Sequence, residues 1–125
     1  MLLTTGNKSE MSVGYTTLYG DMSGGYSVLK DVYKTRVYEL ARWRNDNMPK
    51  DCLGPSGAVI PESIIMKAPT AELHHEQTDQ DFLPPYDELD EILQGLVDEE
   101  LSVYEVVAKG YPLELVKRIE NMVYI

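Results

Sequence analysis

The chain has 125 residues, 43% hydrophobic and 26% charged, the composition of an ordinary globular domain or of a piece of one. No apolar run approaches the roughly 20 residues that a membrane-crossing helix needs. Met1-Leu2-Leu3-Thr4-Thr5 is too short, and lacks the basic flank, to be a secretory signal. A single cysteine, Cys52, excludes a disulfide within the chain and a cysteine-based zinc cluster, and the expected location is cytoplasmic. The net charge of −10 argues against a broad nucleic-acid footprint. Twelve of the 21 acidic residues lie between Ala71 and Glu105, where there is no Lys or Arg. The bases therefore sit mostly in the first half, where an anionic ligand would be met. The acids read as a solvated face.

In chain order, Met1–Thr5 predicts a buried strand that stops at Gly6-Asn7. A helix is expected from about Ser9 to Leu18, with Met11, Val13 and Leu18 inward, although Gly14 weakens it. A Gly-rich stretch follows, and Tyr26-Ser27-Val28-Leu29 predicts a second strand. Lys30–Arg44 has the clearest helical period, with Leu29, Val32, Tyr33, Val37, Leu40 and Ala41 on one stripe. Asn45–Ala58 is long for a bare connection and reads as an insertion or a mobile segment. Pro61–Met66 predicts a short helix with proline in its first turn. Thr70–Pro85 is a second long polar loop holding both histidines. Tyr86, Leu89, Ile92, Leu93 and Leu96 then form one apolar stripe. Ser102-Val103-Tyr104-Glu105 has the spacing of a capping box, Gly110 ends the helix it opens, and Pro112 starts another with Leu113, Val116, Ile119 and Val123 inward. The last helix has no stop signal before Ile125, and Met1 already lies inside an apolar strand. The chain is therefore expected to be an internal section of a longer protein. The strands that complete its sheet would come from residues outside it or from a second copy.

Four places could carry chemistry. Thr5-Gly6-Asn7-Lys8-Ser9-Glu10 spans a strand-to-helix junction, where ligands bind in open α/β sheets. It offers a hydroxyl, backbone amides and a carboxylate suited to Mg²⁺; the plain reading is a polar turn with Ser9 as N-cap. Lys34 can meet a phosphate as a point charge, or simply face solvent. Tyr19-Gly20-Asp21 and Ser23-Gly24-Gly25-Tyr26-Ser27 form a Gly-rich loop. The latter imitates the Ser-Gly-Gly-x-Asp-Ser pyrophosphate loop but lacks the Asp before Ser27 and a preceding apolar strand, so a plain turn is expected. The loop around His74-His75 reads as a polar lid rather than a histidine metal site.

The order of these segments resembles the carboxy-terminal part of the synthetase domain of the NAD synthetase family, in the ATP-pyrophosphatase superfamily. The landmarks are Thr5–Glu10, Tyr19-Gly20-Asp21, Asp31-Val32-Tyr33-Lys34-Thr35, Glu39-Leu40-Ala41-Arg42, Lys67-Ala68-Pro69-Thr70-Ala71-Glu72-Leu73, Gln77-Thr78-Asp79 and Pro85-Tyr86-Asp87-Glu88-Leu89-Asp90. They span nearly the whole chain, and the 44–61 insertion is most similar to the long glutamine-dependent bacterial members. The resemblance implies an α/β fold, a partial Rossmann-like adenine nucleotide alpha hydrolase fold retaining one or two parallel strands and several helices. It implies that ATP adenylates nicotinic acid adenine dinucleotide and that ammonia, drawn from glutamine in this subclass, then displaces AMP. Position by position, Thr5, Lys34 and Thr70 match ATP-binding residues, Glu10 the Mg²⁺ ligand, and Asp21 and Asp79 residues that hold the dinucleotide. No residue of the chain is assigned a catalytic role.

The pyrophosphate loop would lie upstream of Met1, a His-Lys pair beyond Ile125 and the glutaminase in a separate domain, so the chain alone is expected to be inactive. Homo-oligomers are implied, and neither nucleic acid nor membrane is an expected partner. Two other readings stand beside this one. The first is a different ATP-pyrophosphatase ligase, against which the Tyr-Gly-Asp and Pro-Thr-Ala-Glu-Leu segments argue. The second is a non-enzymatic helical module whose acidic 71–105 window binds a basic partner.

Overall fold

The computed structural model describes residues 1–16, 23–67 and 83–124. Its elements are β1 (Leu3–Thr4), α1 (Lys8–Ser12), β2 (Tyr26–Ser27), α2 (Lys34–Asp46), α3 (Glu62–Ile65), α4 (Tyr86–Leu93), α5 (Val103–Ala108) and α6 (Leu113–Val123). β1 and β2 are parallel, with Leu3 opposite Tyr26 and Thr4 opposite Ser27. With α1 between them in the chain, they make a partial Rossmann-like α/β unit followed by a helical layer.

The core is centred on α4. Its stripe repeats every three or four residues, so one face is apolar but for Asp90. Leu89, Ile92 and Leu93 are wholly buried, with Tyr86 and Leu96 nearly so. Val106 of α5 and Val116 and Ile119 of α6 close over that face. The Ser102 capping box is formed: the Glu105 amide donates to Ser102 Oγ, and Ser102's own amide donates to Glu105 Oε2 at 2.8 Å. Hydrogen bonding to Ser102 also holds the Glu105 carboxyl below its ordinary pKa. After Leu93 the winding widens to a π-type turn over Gln94–Asp98, and the Glu99 amide reaches back to the Gln94 carbonyl at 3.0 Å. Gly95 lies against α5 there; a Cβ would stand 2.9 Å from Val106 Cγ2.

The first half departs from expectation in several ways, among them a second strand that covers only Tyr26–Ser27 of the expected Tyr26–Leu29. α1 begins at Lys8 and stops at Ser12, because Gly14 takes φ +67 and turns the chain out of the helix. Of its expected inward residues Val13 is buried, whereas Leu18 lies outside the described residues. β1 is not buried: Met1, Leu2 and Leu3 are exposed, as are Tyr26 and Val28. The helix expected from Lys30 begins at Lys34, and none of its residues is fully buried. Leu40, placed on the inward stripe, is 50% exposed. Finally, the 45–58 segment is irregular, as expected, but two side chains organise it. Arg44 donates to the carbonyls of Asn47, Pro55 and Gly57. Asn45 Oδ1 accepts from the amides of Val59 and Ile60, and its Nδ2 donates to the Ile60 carbonyl.

Gly95→Ala in the intact protein is expected to lower unfolding stability by about 1–3 kcal/mol, the usual cost of forcing a methyl group into a closed contact. Leu53→Ala, at a fully exposed position, is expected to shift it by less than about 0.5 kcal/mol. Denaturant unfolding of the two variants checks the contrast.

Candidate functional site

The turn after β1 sets the site. Thr5 is exposed at the carboxyl end of the strand, and Gly6 and Asn7 are buried behind it. Asn7, not Ser9, is the N-cap of α1. The Glu10 amide donates to Asn7 Oδ1 at 3.1 Å, and the Asn7 amide donates to Glu10 Oε2 at 3.3 Å. This reciprocal box satisfies two helix-end donors and fixes the Glu10 carboxylate beside the strand end. The Asn-x-x-Glu spacing was a signal for it.

Lys34 does not face solvent. Its Nζ lies 2.9 Å from Glu10 Oε1, and the two side chains are only 19% and 16% exposed. The ammonium also stands 5.4 Å from the ring centre of Tyr86 and 6.0 Å from that of Tyr38, within range of cation–π attraction. Thus Glu10 and Lys34, 24 residues apart, converge at the end of the parallel strands.

Behind the pair lies a second layer absent from the sequence-based candidates. Ser9 is fully buried and Asp90 is 5% exposed. The Ser9 hydroxyl donates to Asp90 Oδ1 and accepts the Lys34 amide at 2.8 Å. Asp90 Oδ2 accepts the Thr35 amide at 2.9 Å. These are the first two amides of α2, whose N-cap residue, Tyr33, supplies no side-chain cap. A signal for Asp90 existed: it falls between Tyr86 and Leu93 on the apolar face of α4, where a solvated acid would not.

A third cluster flanks the junction. Asp98, in the π-type turn, accepts from Lys8 Nζ and from the Tyr33 hydroxyl, the latter at 2.9 Å. Lys8 Nζ also lies 4.7 Å from the Tyr33 ring centre. The Lys8 hydrogen bond holds the Asp98 carboxyl below its ordinary value, assisted by Tyr33. Burial, and then the hydrogen bond to Asp98, pushes the Tyr33 phenol up. On the other side of α4, the hydrogen bond to Glu91 pushes Tyr111 up to about 12.

Next to Lys34, a cleft of about 470 Å³ opens between α2, α3 and the start of α4, with Tyr38, Arg42, Lys67 and Tyr86 in its walls. Asp21, Thr70 and Asp79 lie outside the described residues, as do His74 and His75. Among the described residues no three His, Cys, Asp or Glu side chains gather as a metal cage, and no helix is long and apolar enough to cross a membrane.

A sequence profile described as NAD synthase matches residues 1–124. The chain belongs to the NAD synthase family. Glutamine-dependent NAD(+) synthetase of Rhodobacter capsulatus is 58% identical over 125 residues, a match covering all of this chain and 23% of that protein. The enzyme of the same name from Thermotoga maritima is 50% identical over 123 residues, 98% of this chain and 20% of that one. The chain therefore spans less than a quarter of the length of these NAD synthetases. Among solved structures, NMN synthetase from Francisella tularensis superposes with a TM-score of 0.66 at 24% identity, over 98% of this chain and 40% of that one. That likeness shows the fold.

The Asp98 cluster predicts a pH dependence. A carboxyl lowered on folding adds stability above its ordinary pKa of 3.8, which is lost as the pH falls through its lower folded value. A phenol raised on folding adds stability below its ordinary pKa of 10.0, which is lost as the pH climbs above that value. The Tm advantage of wild type over Asp98→Asn is expected to shrink as the pH is taken below about 4, and that over Tyr33→Phe to shrink above about pH 10. Thermal unfolding across pH checks both.

Proposed function

We propose that residues 1–125 are the carboxy-terminal part of a single synthetase domain. Within that domain they help perform the ATP-dependent amidation of nicotinic acid adenine dinucleotide to NAD. The observation that supports this most is the convergence of Glu10 and Lys34 beyond the carboxyl end of β1. Family membership supports the chemistry, and the similarity to glutamine-dependent relatives supports glutamine as the ammonia source.

The reaction has two steps. The substrate carboxylate attacks the α-phosphorus of ATP and releases pyrophosphate, leaving an acyl adenylate. Ammonia then attacks the acyl carbon, AMP departs with the C–O bonding pair, and the nitrogen sheds a proton. Charge accumulates on phosphate oxygens in the first step, so a fixed cation nearby lowers its barrier. Lys34 is that cation. Its link to Glu10 and the rings of Tyr38 and Tyr86 hold the ammonium in place before ATP arrives. Thr5, exposed in the same turn, contacts the nucleotide, and Thr70 lies on its phosphates. Asp21 and Asp79 hold the dinucleotide.

Glu10 fits a magnesium site of the kind shared with a substrate. Mg²⁺ takes hard oxygen donors and commonly binds through one or two carboxylates plus phosphates; Glu10 Oε1 is held by Lys34 and Oε2 by the Asn7 amide, and each oxygen keeps a further lone pair with which it would meet the ion. When bound, the ion neutralises phosphate charge. The protein acts in the cytoplasm as a homo-oligomer, with the dinucleotide across a subunit interface.

In the intact protein, Lys34→Ala and Glu10→Gln are each expected to lower kcat/KM for NAD formation by about 10²-fold or more. Steady-state assays with ATP, the dinucleotide and ammonium check this, and changes below threefold in both would overturn the reading. The 125-residue chain alone is expected to make no NAD under the same conditions. A parallel assay with other carboxylate substrates separates this activity from that of another ligase of the superfamily.

A further inference from the structure

We propose that Ser9 and Asp90 are positioning residues that set the distance between Glu10 and Lys34. The inference rests on the functional reading above and goes beyond it, because neither residue reaches the ligand side of the site.

The pair comes from two short attachments. Glu10 is carried by a five-residue helix and Lys34 is the first residue of α2. α2 has no fully buried residue and no side-chain cap of its own, so its first turn depends on partners from other elements. The Lys8 amide donates to the Val32 carbonyl just before it at 2.9 Å, and two side-chain acceptors hold its leading amides. Ser9 Oγ accepts the Lys34 amide and Asp90 Oδ2 accepts the Thr35 amide. Ser9 is covalently next to Glu10, so the Lys34 main chain is tied to the residue beside its own side-chain partner.

Asp90 completes the arrangement. It accepts the Ser9 O–H on one oxygen, which leaves the Ser9 lone pairs free for the Lys34 amide. Its negative charge also faces the positive end of α2. The carboxylate is immobile in turn, because Leu89, Ile92 and Leu93 on either side of it are wholly buried in the core. The chain of contacts therefore runs from the α4 core, through Asp90 and Ser9, to the backbone of Lys34 and the position of Glu10. A cation held loosely loses much of its preorganised effect, and a displacement of about 1 Å can cost on the order of 10²-fold in rate.

The test uses Ser9→Ala and Asp90→Asn in the intact protein, with Ser102→Ala, which removes the α5 capping box, as a destabilising control remote from Asp90. All are assayed where circular dichroism shows them fully folded. The expected result is a fall in kcat of about tenfold or more for Ser9→Ala, with KM for ammonium unchanged. Asp90→Asn, which keeps one acceptor oxygen, falls less, and Ser102→Ala stays within twofold. In a Lys34→Ala background, Ser9→Ala is expected to cause no further loss.

Hydrogen exchange gives a readout independent of activity: Ser9→Ala lowers protection at the Lys34 and Thr35 amides, and Ser102→Ala does not lower it selectively there. Unchanged exchange at those amides, kcat for Ser9→Ala within twofold of wild type, or losses that add to that of Lys34→Ala would each overturn the proposal. If Lys34→Ala itself leaves activity intact, the functional reading fails instead, and the exchange result alone decides whether Ser9 and Asp90 place Lys34.

Discussion

A buried hydroxyl–carboxylate contact, Ser9 to Asp90, joins the two halves of this molecule. On one side are two short strands and a five-residue helix, which bury little apolar surface of their own. On the other is a helical layer with a closed core. The hydroxyl and carboxylate are satisfied by each other and by the two leading amides of α2. No buried side-chain polar atom among the described residues is left without a partner. Removing one member would leave the others buried and unsatisfied, which costs more than the bond itself contributes. Together with Val13 in the core and the Lys8 and Tyr33 contacts to Asp98, the polar contact lets a weakly packed α/β end borrow rigidity from a well-packed helical end.

This division explains what was legible in the sequence. The helical layer was readable because its signals are local: a stripe at three- and four-residue spacing, a Ser-x-x-Glu box and Pro112 at a helix start. Each of those features formed as read. α2 was misread for the opposite reason. Its apolar period suggested an inward stripe and a start at Lys30, but its start is fixed by acceptors 25 and 55 residues away, which no local window contains. Leu40 and Trp43 are half exposed as a result. The buried β1 was expected from composition alone, and composition cannot supply the neighbours a buried strand requires.

The candidate site was legible in parts. Glu10 and Lys34 were singled out at the ends of their elements, and the structure brings them together. Lys34 looked like a solvent-facing lysine from spacing, because a 24-residue separation says nothing about contact. Asp90 was hidden in an acidic window that reads as a solvated face. That reading suits Asp87, Glu88 and Glu91, which are exposed, but fails for the one acid in phase with the apolar stripe.

The wide turn after α4 carries a consequence for length rather than for residue identity. A regular helix advances about 100° per residue, and the five-residue loop of hydrogen bonding at Gln94–Glu99 admits one residue more than regular winding would. That extra residue sets the phase at which Asp98 meets Lys8 and Tyr33. Adding or removing a residue in 94–97 without a matching change of winding would swing the carboxylate through about a quarter of a revolution. The residue count of this stretch is thus constrained separately from its residue identities, and variants that change the count would have to alter the winding or rebuild the junction with α1.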